Sequence, residues 1–397
     1  MSARLKIQLG ERGQTPYRPL SDVAPLVRRE VSIDPDATYT ELGVRSFHKG
    51  TFHRRTLKGA EFTWQGLYRI NTNDLVFSNI MAWEGAVAMA GPADEGCIGN
   101  HRMLTCACDP EQMNPAFLAH YFKTPEGMVK LVGASTGTVA RNRTLTAAAL
   151  GRMEVPVPPI EVQGRLVRHF DALAEKTRQL EAHLDAVERD AQHLLALRFQ
   201  DAIANAPLRP MADVAPLVRR EIVIEPEQSY TELGVRSFYK GTFQRRTVRG
   251  SDFSWQDLYR ISVGDLVFSN IMAWEQAIAI AKSEDNGCVG NHRMLTCEAS
   301  AEDAVPGFLW YYFTTEEGFG KIYAASPGTA ARNRTMAASA LMAIDVPLPS
   351  LAAQQTFDHL QAEVAALKAH HTAIRRANTA LLPATLERVF NAEAHGT

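Results

Sequence analysis

Cys97, His101 and Cys106 form a C-x3-H-x4-C array, and Cys288, His292 and Cys297 repeat it. Thiolate and imidazole are zinc ligands, but a structural zinc site takes four of them. Cys108, the obvious fourth, has Ala299 opposite it in the repeat. The array therefore reads as a buried strand pair, and no metal is assigned. A second set of residues suits a different chemistry. Arg, Lys, Asn and His side chains hydrogen-bond base edges or phosphates, and aromatic rings stack on bases. Lys49, Arg54, Arg55, Asn79, Trp83, Asn100, His101, Arg102, Arg141, Asn142 and Arg143 are the candidates. Lys240, Arg245, Arg246, Asn270, Trp274, Asn291, His292, Arg293, Arg332, Asn333 and Arg334 are their counterparts.

Each has a plainer reading. Arg54 and Arg55 suit a solvated turn, Asn79 suits a turn cap after an apolar strand, and Trp83 suits a core. Arg141, Asn142 and Arg143 follow Ser135-Thr136-Gly137-Thr138 and suit either a phosphate-facing loop or a structural ion pair. Positive charge favours DNA over the solvated turn at one place. The net charge of the 397-residue chain is only −2, yet Arg45, Lys49, Arg54, Arg55 and Lys58 lie in a segment without an acid. A nucleic-acid binder needs such a basic footprint.

The elements that position these residues come in two copies. DLVFSNIMAWE runs from Asp74 to Glu84 and again, unchanged, from Asp265 to Glu275, 191 residues on. The same offset relates PLSDVAPLVRRE at Pro19 to PMADVAPLVRRE at Pro210, and GNHRMLTC at Gly99 to Gly290. It still holds for ARNRT at Ala140 and Ala331, and for Gln163 and Gln354. Solenoid units span about 20–50 residues, so each copy is a domain. Short β-like runs such as RMLTC and MEVPVP, with helical patches such as NPAFLAHYFKTPEGMVKLV, make each globular part a mixed α/β domain dominated by strands.

After Pro158-Pro159 a seam of Leu166, Phe170, Leu173, Thr177, Leu180, Leu184, Val187, Ala191 and Leu194 steps by fours and threes. Phe357, Leu360, Val364, Leu367, His371, Ile374, Asn378 and Leu381 do the same in the second copy. Both are heptad seams. The fold class is therefore α+β, with two mixed α/β domains related by a pseudo-twofold axis, each followed by a long helix. The helices pair as an antiparallel coiled coil, a rod of about 60 Å for roughly 40 residues. Expected boundaries are 1–158 and 206–349 for the globular domains, and 159–205 and 350–397 for the helices and tail. Thr177, His371 and Asn378 interrupt the seams and either fix register or sit at exposed turns.

Two globular domains, each followed by a helix introduced by VPVPPIEVQ or VPLPSLAAQ, with a terminal LLPATLERVF, resemble the specificity (S) subunits of type I restriction-modification systems. GDLVFS before small residues is similar to the central motif of their target-recognition domains, with Asn73 here in place of Gly264. The resemblance implies a non-catalytic chain that reads a split double-stranded DNA target and docks two methyltransferase (M) subunits. Those subunits would carry S-adenosylmethionine, with none in this chain, and restriction/translocase (R) subunits are further implied partners. Typical members carry two different recognition domains. Near-identical halves favour one half-site read twice, inverted, around an unread gap.

No phosphate loop or nucleophile elbow is present, and Val157 to Pro159 lacks the aromatic of amino-methyltransferase motifs. The other class of reading is a coiled-coil scaffold that holds protein partners at fixed spacing without DNA. Five cysteines, no apolar run of membrane-spanning length and no signal-like N-terminus give a cytoplasmic expectation.

Overall fold

The computed structural model describes residues 15–62, 66–137, 142–253, 257–328 and 333–390. Contacts divide the chain at two points in the sequence, after Leu184 and after His371. One unit takes the chain up to Leu184 and from Thr372 onward; the other is Asp185–His371. Each unit thus owns a globular part and half of each long helix.

In the first unit the strands are β1 (Tyr17–Pro19), β2 (Thr38–Val44), β3 (Thr51–Lys58), β4 (Tyr68–Arg69), β5 (Leu75–Ser78), β6 (Val87–Met89), β7 (Ile98–Gly99) and β8 (Met103–Cys106). One sheet has the order β3-β2-β7-β4, with β2 and β7 parallel, and a second has β6-β5-β8, all antiparallel. β1 pairs with Glu154–Pro156, closing the globular part at its two ends.

The duplicated segment begins in β5, which is buried on both faces. Leu75 and Phe77 join a core with Leu104, Phe117, Tyr121 and Phe122, while Val76 joins Leu42, Ile70, Ala88 and Met103 on the other side. Burial on both faces explains why Leu75-Val76-Phe77 is an unbroken apolar run without alternation. Asp74, just before it, is 3% exposed and is held by Arg29 through two bonds, of 2.5 and 3.0 Å, and by the Asn71 amide at 2.8 Å. The turn into β5 needs a left-handed residue: Asn73 has φ 69° and its counterpart Gly264 φ 86°. Asn is the side chain that tolerates this best. Asn73→Val should therefore cost about 1–2 kcal/mol in chemical denaturation while Asn73→Gly stays near neutral; equal costs would exclude backbone strain as the reason.

The expected helical patch after Asn114 is two helices, Pro115–Tyr121 and Pro125–Ala134. Asn114 caps the first through its side-chain oxygen, and Thr124 caps the second. Gln163 is fully buried at the start of the first long helix, Ile160–Ile203. Its amide donates to the carbonyls of Gln112 (2.9 Å) and Pro158 (2.7 Å) and its oxygen accepts from the Asn114 amide (2.8 Å). Gln354 repeats all three bonds at the start of the second long helix, Leu351–Phe390, with Asp303, Pro349 and Val305. The proline-glutamine motif is thus a polar joint that fastens each helix to its globular part.

Within the first unit, Phe170 stacks against Phe390, and Asn378 donates to the Thr177 carbonyl (3.3 Å) and to Glu181 (2.9 Å). Within the second, His371 bonds Glu188 at 2.9 Å and Phe199 packs on Phe357. Rising numbers on one helix meet falling numbers on the other in each unit, so the pairing is antiparallel. His371 and Asn378 are buried and partnered, which selects the register role over an exposed turn. The seam itself departs from expectation at Leu180, which is exposed within the pairing, and at its ends. Leu194 and Leu381 are exposed, and Leu195, Phe199 and Leu382 take their places. There each helix meets a globular core as well as its partner helix, so the local surface, not the heptad alone, sets which face is buried.

The second unit repeats the plan with sheets built on Ser229–Val235 and Leu266–Ser269. No helix among the described residues is long and apolar enough to cross a membrane.

Candidate nucleic-acid interface

β2 and β3 form a hairpin whose far strand carries the basic segment. Arg54 is exposed and makes no described polar contact, while Arg55 next to it bonds Glu41 at 2.6 Å across the hairpin. Glu41 is 6% exposed, and this pairing raises the Arg55 pKa further. Arg246 holds Glu232 in the same way at 2.7 Å. The two arginines are therefore different in kind: Arg55 neutralises a buried acid, and Arg54 is free to meet an anion.

Arg54 stands at the rim of a cleft of about 400 Å³ between the two sheets, with Ser78, Ile80, Asn100 and Arg102 opposite it and Leu42, Phe52 and Met103 along its floor. Gly43 keeps that floor open, because a Cβ there would overlap the Phe52 ring. The second unit has the same cleft, about 350 Å³, with Arg245, Asn291 and Arg293. Asn100 shapes its own turn: its side-chain oxygen accepts from the Arg102 amide at 2.9 Å, which leaves His101 and Arg102 exposed at the tip. Asn291 does the same for Arg293 at 3.0 Å.

The remainder of the duplicated segment links the parts of this face. The Asn79 amide donates to the Arg102 carbonyl, and its carbonyl accepts from the Leu145 amide, both at 2.8 Å. Its side-chain oxygen is buried without a hydrogen-bond partner, as is that of Asn270. Trp83 is half-buried and donates from its indole nitrogen to the Ile80 carbonyl at 3.0 Å, so it shapes the loop. The Arg143 guanidinium sits 5.6 Å from its ring centre. In the second unit Arg334 instead lies 4.0 Å from the Tyr323 ring and bonds the Ser326 carbonyl. There a further cleft of about 660 Å³ brings together Asn270, Trp274, His292, Arg293 and Thr335, with Glu275 also in its wall.

Asn142 and Asn333 are exposed beside these loops, whereas Arg141 and Arg332 lie outside the described residues. Lys49 and Lys240 are at the hairpin tips, their ammonium groups 5.9 and 5.6 Å from the Phe47 and Phe238 ring centres. Those two aromatics were missed by a search for hydrogen-bonding types. Their only signal in the sequence is an apolar residue inside a basic repeat.

The cysteine array does not converge. Cys97 packs with Leu42 and Ile70, and Cys106 with Leu75 and Leu104. Burial pushes the Cys106 thiol up to about 12, so it is a packing residue. No group of three or more metal-ligating side chains gathers among the described residues.

A scan of family models finds no match, and no curated protein matches the chain. Solved structures do. The HsdS subunit from Thermoanaerobacter tengcongensis is 17% identical, with a TM-score of 0.65 over 96% of this chain and 97% of its own. The fold is that of HsdS. A chain from a structure describing complex assembly and conformational transition of the type I R-M system is 16% identical, with a TM-score of 0.66 over 97% of this chain and 100% of its own. The HsdS fold thus extends over nearly all of this chain, so the mixed α/β parts and both long helices are common to it and its structural neighbours. The candidate face described above is built on that frame from the hairpin, the cleft and the loop after β5.

Proposed function

We propose that the chain is the sequence-specific DNA-recognition subunit of a type I restriction-modification complex, itself non-catalytic, which docks methyltransferase subunits. The observation that carries this reading is the repeated cleft. Arg54, Asn100 and Arg102 meet around a groove on one unit, and Arg245, Asn291 and Arg293 meet around the same groove on the other. Arginine and asparagine are the side chains best suited to the major-groove edges of guanine and adenine. Their identity in the two units supports one half-site read twice, in inverted order, around an unread gap.

Methylome sequencing of cells that carry the chain with its methyltransferase partner tests this. The expected motif is gapped and near-palindromic; two unrelated half-sites would overturn the twofold reading. A gel shift with the methyltransferase subunit at stated salt tests the DNA reading itself, since phosphate contacts make affinity salt-dependent.

A further inference from the structure

At the tip of the β2–β3 hairpin the chain does something that packing does not require. Phe47 and His48 both have left-handed backbones, φ 59° and 55°, and Phe238 and Tyr239 repeat this at 60° and 54°. Two consecutive non-glycine residues in that region are strained, and such strain persists only where surrounding contacts hold it. The contacts are present: the Phe47 and His48 amides donate to the carbonyls of Glu84 (2.8 Å) and Gly85 (3.0 Å), and Arg45 and Gly50 close the turn at 2.9 Å. The second residue of each pair is the anchor. His48 packs on Gly85, where a Cβ would crowd its ring, and Tyr239 donates to the Phe313 carbonyl at 2.7 Å. Burial and the charge of Lys123 hold the His48 pKa near about 4, so it is a neutral packing group at physiological pH.

The first residue of each pair is left in solvent. Phe47 is 68% exposed and Phe238 62%. The strained tip thus fixes an aromatic ring outside the fold, twice, with a lysine ammonium over each ring. A protein groove suited to a bare phenyl would have to bury Lys49 and the nearby exposed Arg45. Duplex DNA supplies phosphates for those cations and base faces for the ring.

We infer that Phe47 and Phe238 are apolar wedges that enter the DNA at one base step of each half-site and partly unstack it. The inference rests on the DNA-recognition reading above and adds a mode of reading to it: selection for a deformable step, which hydrogen-bonding side chains do not supply.

The test uses the full chain with its methyltransferase subunit and a duplex of the methylated motif, with 2-aminopurine placed in turn at each position of a half-site. Wild-type complex should brighten the probe at one step per half-site apart from the base that the methyltransferase itself extrudes. Phe47→Ala with Phe238→Ala should remove that signal and weaken binding roughly tenfold or more, whereas Phe47→Leu with Phe238→Leu, still apolar, should keep most of both. Because both rings are exposed, thermal melting of the alanine variant should match wild type. If wild-type complex binds the duplex tightly and no position brightens apart from the base that the methyltransferase extrudes, or if the alanine variant binds equally well, the wedge is wrong and the DNA reading stands. If wild type shows no preference for the motif, the DNA reading and the wedge fall together.

Discussion

Glutamate in place of both Arg54 and Arg245 will abolish specific binding of the methylated motif. Each guanidinium is exposed at the rim of its cleft, without a described protein partner, so its removal leaves the fold intact. A guanidinium paired to a base edge contributes about 1–3 kcal/mol, so losing both should cost affinity by roughly 30- to 10⁴-fold even with alanine. Charge reversal adds repulsion from the phosphates. The salt dependence of the alanine variants separates two modes of contact. Lost phosphate contacts lower the slope of log affinity against log salt by about 0.9 each, whereas lost base contacts keep the slope and relax specificity at one position. Circular dichroism should show no change. Unaltered affinity in the double glutamate variant would remove the cleft from the interface. Arg55→Ala is the contrasting case: it strips the partner from buried Glu41 and should lower the melting temperature.

Asp74→Ala will produce the largest loss of stability among single changes in the duplicated segment. The carboxylate is 3% exposed and holds both the Arg29 guanidinium and the Asn71 amide. Removing one partner of a fully buried ion pair costs about 3–5 kcal/mol, because the other charge stays behind unpaired, and the partial exposure of Arg29 puts this case at the low end. For a unit of this size that is a fall of roughly 10 °C in the melting of that unit. Asp265→Ala should cost less. Its arginine, Arg220, has a second carboxylate at 3.0 Å, Glu298, whereas the matching position in the first copy is Ala107. Scanning calorimetry of both variants checks the pair. A larger loss at Asp265, or a shift below about 2 °C at Asp74, would contradict this account.

What could be read from the sequence divides along physical lines. The repeat, the strand-rich domains and the two long helices were legible, because side-chain periodicity is local and each copy vouched for the other. The ends of the seams were not. Which residues are buried there depends on where the helix also meets the globular core, as Phe199 does at Phe308 and Tyr311, which no heptad count contains. Within the site, residue type found Arg54, Asn100 and Arg102 and the cleft brings them together. Residue type could not separate Arg54 from Arg55, because the acid that claims Arg55 lies across a hairpin. It also could not find Phe47, whose importance comes from a backbone conformation. The role of Gln163 was equally hidden: its position marked the motif, but two of its three bonds exist only once the chain has folded back on residues 112–114.

The core of the first globular part is completed by Leu386, Val389 and Phe390, the last apolar residues of the second long helix. Phe390 lies against Phe117, Tyr121 and Phe170. On a ribosome, that part is therefore made first and finished last. The second unit, Asp185–His371, is contiguous and has all of its sequence before those residues appear. The order of folding is then the reverse of the order of synthesis: until the final turns of the second long helix emerge, the first globular part lacks the side chains that cover its apolar core.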